Sequence, residues 1–114
     1  MTEQQQIGPI TPLGLDLSEP SAGSVSARQL FEGGRRRVLE VRLGAGAVLK
    51  RHKATEPITV SCVTGTGRFT AGDDLEHRMD LFAGSLLTLE ADIFHEVTAK
   101  TAMILLVIKF LDSY

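Results

Sequence analysis

Cysteine is almost missing from this chain: Cys62 is the only one. It leaves no internal disulfide and no cysteine-rich metal centre, and both exclusions suit a reducing compartment. Positive charge is not in excess, since 14 acids face 12 lysines and arginines for a net charge of −2. A nucleic-acid surface needs a basic surplus, so DNA and RNA are not expected partners. The run Arg35-Arg36-Arg37 does not change this. It follows a double glycine, its charges divide between two faces of a strand, and it reads as a solvated hairpin. The longest apolar run, 102–108, falls far short of the ~20 residues that cross a bilayer, so no membrane contact is expected. The opening MTEQQQ is acidic and polar where a secretory signal is basic and then apolar, which predicts a cytoplasmic protein. Helical periodicity is lacking throughout. Gly44-Ala45-Gly46 is followed by no helix and so offers no helix N-terminus to a phosphate, and neither a P-loop nor a serine elbow occurs. The five phenylalanines, Phe31, Phe69, Phe82, Phe94 and Phe110, are scattered, which suits core or interface packing better than a stacking platform.

What the chain does contain is short extended segments set apart by glycine. At 114 residues, with 43% hydrophobic and 23% charged residues, it is the size and composition of one globular domain. Three of the four prolines, Pro9, Pro12 and Pro20, fall within the first twenty residues. Residues 1–26 therefore read as an arm. Its apolar residues Ile7, Ile10, Leu13, Leu15 and Leu17 suggest that part of it lies across the main domain or a neighbouring subunit. From residue 27 to 114 the pattern is β. Leu39, Val41 and Leu43 alternate with Val38, Glu40 and Arg42 at the period of a half-buried strand. Strands are expected at 28–31, 35–43, 47–52, 58–64, 67–71, 76–82, 85–89, 94–99 and 102–110. Turns are expected at Gly33-Gly34, Gly44-Ala45-Gly46, Gly65-Thr66 and Gly72-Asp73-Asp74. So many short strands at such spacing indicate an all-β sandwich or barrel.

Two glycine-led segments end in histidine, at His52 and at His95, and around them the sequence resembles the cupin superfamily. The first cupin motif runs from a glycine through two histidines and a glutamate to a second glycine. Gly46, His52 and Gly65 match it, while Ala54 and Ile58 take the places of the second histidine and the glutamate. In the second motif Gly84 and His95 match, and Glu90, Asp92 and Ala99 stand where the family has proline, glycine and asparagine. His52-Lys53-Ala54, Pro57 to Val60, Gly65, Gly67 and Phe69 are similar to a segment of small single-domain cupins. The resemblance implies a double-stranded β-helix, or jelly-roll barrel, over residues 27–114. It also implies a divalent metal (Fe, Mn, Ni or Zn) in the members that keep the full ligand set, and pairing into homodimers.

The substitutions decide what chemistry is expected. Alternation along a strand turns His52 and Ala54, then Ile58, Val60 and Cys62, toward the barrel interior. A pocket lined by His52, Ala54, Ile58, Val60 and His95 follows, with hydrocarbon at two former ligand positions. Two imidazoles fall short of the three or four protein ligands of a firm metal site. Glu56, just before Pro57, is the candidate for a displaced third metal ligand beside His52 and His95, and its plainer reading is a solvated loop carboxylate. Cys62 lies about 13 Å along the strand from Ile58 at ~3.3 Å per residue and reads as a small buried hydrophobe. His77 reads as a rim residue beside a turn. A histidine-base epimerase needs a tyrosine acid, and only Tyr114 is present. The leading expectation is a small molecule bound in the pocket without a full metal site. The alternative is a metal-dependent oxygenase or isomerase using His52, His95 and Glu56. Residues 103–108 are apolar at both parities, so this strand is either central in the sandwich or covered by a partner, and a homodimer is expected.

Overall fold

Short extended segments set apart by turns form nine strands, of which residues 38–43 show the alternation most plainly. The computed structural model describes residues 9–111. Its strands are β1 (Val25–Glu32), β2 (Arg36–Leu43), β3 (Val48–His52), β4 (Ile58–Thr64), β5 (Gly67–Ala71), β6 (His77–Leu81), β7 (Leu86–Leu89), β8 (His95–Ala99) and β9 (Met103–Phe110). All nine expected strands are present. β1 begins at Val25, inside the segment read as arm. The described residues contain no helix, hence none long and apolar enough to cross a membrane.

The strands form two antiparallel sheets. One has the order β1-β2-β9-β4-β7 and the other β3-β8-β5-β6. From β2 to β5 the chain passes from one sheet to the other at every connection, as it does again from β6 to β9, and this winding makes the double-stranded roll. Between the sheets lies one core that includes Leu43, Val60, Phe69, Val97, Met103 and Leu105. β9 is the middle strand of the larger sheet, which answers why it is apolar at both parities. Met103, Leu105 and Val107 are buried in the core, and Ile104 is buried on the opposite face.

Residues 14–18 of the arm are bound to the outside of β1 and β2. The Glu40 carboxylate, with a side-chain exposure of 1%, pairs with Arg28 at 3.1 Å and accepts the Asp16 backbone N–H at 2.7 Å. Arg28 also donates to the Gly14 carbonyl at 3.2 Å. Arg42 donates to the carbonyls of Asp16 and of Ser18, the latter at 2.8 Å. The arm then passes so close to Gly44 that an added Cβ would stand 1.7 Å from the Ser21 carbonyl oxygen. Glycine is needed there for close approach and not for a positive φ. Ile7, assigned to the arm, and Tyr114 lie outside the described residues.

Candidate functional site

A β-bulge sets the site. Leu49 pairs with Val97 and His52 with His95, so β3 carries one residue more than β8 between these two pairs. Strict alternation would put Leu49 and His52 on opposite faces. The extra residue lets both turn toward the space between the sheets, a use of bulges seen next to many binding sites. There the two imidazoles meet edge to face, with ring centroids 4.2 Å apart and planes at 61°. On its other side His95 stacks on Phe69 at 5.5 Å with an interplanar angle of 10°. His95 is buried and His52 is exposed, so the pair runs from the interior to the surface.

Hydrogen bonds fix the tautomers. His95 Nδ1 lies 3.0 Å from the Ile93 carbonyl oxygen, and His52 Nδ1 lies 2.7 Å from that of Lys50. A carbonyl only accepts, so each Nδ1 carries the proton in the neutral ring and each Nε2 keeps its lone pair. Burial pushes the His95 pKa down from 6.5, and the neighbouring His52 and Lys109 add to the effect against the Ile93 bond. His95 is therefore a neutral acceptor at pH 7.

The imidazoles line a cavity of about 200 Å³ between the sheets. One wall is Leu39, Val41, Ile58, Val60, Leu105 and Val107; the other is Leu49, Phe69 and Val97. Val25, Ala27, Lys53, Ala54 and Lys109 complete the lining. His52, Ala54, Ile58, Val60 and His95, the residues picked out in the sequence, thus share one cavity. Lys109 and the β1 residues Val25 and Ala27 are not among those picked out, and Phe69 entered only through its match to the cupin segment. Lys109 has the same parity as Leu105 and Val107, and that parity was the available signal.

Glu56 is half-buried but does not line the cavity, and no cluster of three or more His, Cys, Asp or Glu side chains forms among the described residues. The donor set is two imidazoles, one or two ligands short of a firm divalent-metal site. Cys62 is buried, donates toward the Thr64 carbonyl at 3.4 Å, and burial pushes its thiol pKa up. It is an inert core residue. His77 is exposed beside Glu76, at 3.7 Å. A wider depression, about 620 Å³, lies on the outer surface of the smaller sheet around Arg68, Asp80 and Phe82. It is open to solvent, and its Arg68–Asp80 pair at 3.3 Å is exposed, so it offers no dry pocket.

No family model and no curated protein matches the sequence. Solved structures do match the fold. A cupin superfamily protein from Desulfitobacterium hafniense aligns with TM-score 0.74 at 19% identity, over 84% of this chain and 85% of that one. An RmlC-like cupin family protein with a double-stranded β-helix fold from Methanocaldococcus jannaschii aligns with TM-score 0.71 at 11% identity, over 87% and 88%. KdgF from Halomonas sp. aligns with TM-score 0.66 at 12% identity, over 97% and 88%. The chain has the cupin fold, and the resemblance carried by Gly46, His52, Gly65, Gly84 and His95 holds at that level.

Proposed function

We propose that this cupin-fold chain binds a small molecule in the cavity between its sheets, with His52 and His95 as the polar end of the site. The observation that carries this reading is the cavity itself: hydrocarbon walls closed by two imidazoles whose Nε2 atoms have no hydrogen-bond partner among the described residues. Apolar walls with a few convergent polar groups are the usual make-up of a ligand site. The volume suits a small occupant, since a cavity of ~150 Å³ lined by aliphatic residues takes up benzene. The reading as a metal-dependent oxygenase or isomerase requires a third ligand that Glu56 does not supply. We place the protein in the cytoplasm on the strength of its single cysteine, buried Cys62, which leaves no internal disulfide. We further propose that two copies pair through the outer face of the larger sheet.

The test is methyl-resolved NMR of the full chain with phenol, benzoate and benzylamine as probes. At least one should shift the Val60, Val97 and Leu105 methyl signals and leave those of Leu30 in place. Val60→Phe should abolish the response by filling the cavity, at a stability cost of about 1–3 kcal/mol. If none of the three probes moves a cavity methyl, the binding reading is wrong. Metal analysis separates the alternative. Protein prepared without an affinity tag and incubated with Fe, Mn, Ni or Zn should retain less than one equivalent. Stoichiometric metal that disappears with His95→Ala would reverse the choice.

A further inference from the structure

The charged side chains that line the cavity are, among the described residues, of one sign. Among the described residues Lys53 and Lys109 are its only charged lining side chains, and no aspartate or glutamate lines it. In a chain with net charge −2 this is a local reversal. Register explains how Lys109 gets there. It pairs with Ile58 and follows Leu105 and Val107 on the inward parity of β9, so its stem continues the hydrocarbon wall of the cavity that His52 and His95 also line. Its charge is felt at His95. Lys53 follows His52 directly. Its Nζ stands 5.0 Å from the Phe94 ring centroid, and the Arg51 guanidinium is 3.7 Å from the same ring. Among the described residues neither lysine forms an ion pair, whereas Arg28, Arg37, Arg42 and Arg68 each do.

An occupant must satisfy three features of this space at once. The walls favour hydrocarbon, and the two lysines favour a negative charge, which no acidic side chain among the described lining residues supplies. The Nε2 lone pairs of His52 and His95 demand a hydrogen-bond donor and repel a bare carboxylate oxygen. We infer that the occupant is a small hydroxycarboxylate whose hydrocarbon body fills the space between the sheets, whose carboxylate meets Lys53 and Lys109, and whose hydroxyl donates to the imidazole pair. About 200 Å³ admits a single ring, or a chain of similar bulk, with these two substituents. A dicarboxylate or a sugar phosphate would leave the apolar walls unfilled, and an amine would meet like charge. This inference rests on the cavity-binding reading and adds the chemical class.

Binding of four ring-sized probes to the full chain by calorimetry and methyl NMR tests it: 3-hydroxybenzoate, benzoate, 3-hydroxybenzamide and benzylamine. The order expected is 3-hydroxybenzoate tightest, benzoate several-fold weaker, the neutral amide at least ten-fold weaker than the acid, and benzylamine weakest. Lys109→Met should weaken 3-hydroxybenzoate at least five-fold and leave the amide unchanged, which also shows that the variant is folded. Raising salt should weaken the acid and not the amide. If 3-hydroxybenzamide binds as tightly as the acid, or Lys109→Met leaves the acid unaffected, the carboxylate assignment is overturned while cavity binding stands. If benzoate equals 3-hydroxybenzoate, the hydroxyl assignment is overturned. If no probe shifts a cavity methyl, the site reading fails, and the inference fails with it.

Discussion

Burial decides the protonation of His95, and through it the response of the fold to acid. In the unfolded chain the imidazole takes up a proton near pH 6.5; in the folded chain its pKa is lower, first through desolvation and then through His52 and Lys109. Between the two values the unfolded state binds more protons, so stability falls as pH drops below 6.5 and is unaffected by this group above it. Urea unfolding midpoints from pH 7.5 to 5.5 should fall, and His95→Gln should flatten that decline. Asp16 and Glu76 also have lowered pKa values, but from 3.8 and 4.5, so their contributions are lost in a separate window at lower pH. A midpoint that stays level through pH 6 in the parent chain would contradict the burial argument. The histidine pair was legible because glycine and histidine spacing marks a place in a fold without any knowledge of packing. Lys109 was legible in its parity alone, because a lone lysine near the end of an apolar strand looks the same in sequence whether its stem lies along a cavity or in water.

Elements add what alternation alone leaves out. Counting back from His52 puts Val48 and Lys50 inside the barrel. The bulge reverses this, leaving Val48 exposed and Leu49 in the cavity wall. A single extra residue has no sequence signature unless a glycine marks it, so the strand was legible and its facing only in part. Glu40 is the second such case. Its parity in β2 assigns it to solvent, yet it is among the most buried side chains because residues 14–18 of the arm cover it. Removing one partner of a buried ion pair costs ~3–5 kcal/mol. Arg28 keeps a side-chain exposure of 33%, so water can replace part of what it gives Glu40. Arg28→Ala should therefore cost about 2–3 kcal/mol, read from the denaturant midpoint, and it should speed proteolytic cleavage near Leu13 and Leu17. Gly44→Val should do the same by another route, since its side chain would have to displace the backbone at Ser21. If Arg28→Ala leaves both stability and cleavage unchanged, the arm is not held by Glu40.

At the scale of the whole molecule, the outer face of the larger sheet is uneven. Over β1 and β2 it is covered by the arm, whereas over β9, β4 and β7 it presents side chains that are uncharged in an uninterrupted block. Leu86 pairs with Ser61, which pairs with Leu106; Thr88 pairs with Thr59, which pairs with Ile108. Leu86 is 64% exposed and Phe110 45%. Loss of charge with retained apolar side chains is the compositional mark of the centre of an interface, and a face that meets its own copy across a two-fold axis needs no charge complementarity to do so. The centrality of β9 accounts for its buried residues but leaves Leu106 and Ile108 half-covered, which is the part of the two-sided apolar pattern that folding of one chain does not explain. Light scattering on the eluting species should give about twice 12.3 kDa at micromolar concentration. Leu86→Glu combined with Ile108→Glu would place like charges opposite each other across the axis and should return the monomer with the cavity intact. A parent chain that elutes as a monomer throughout would remove the pairing proposal and leave the cavity argument as it stands, because every residue of that site comes from a single copy.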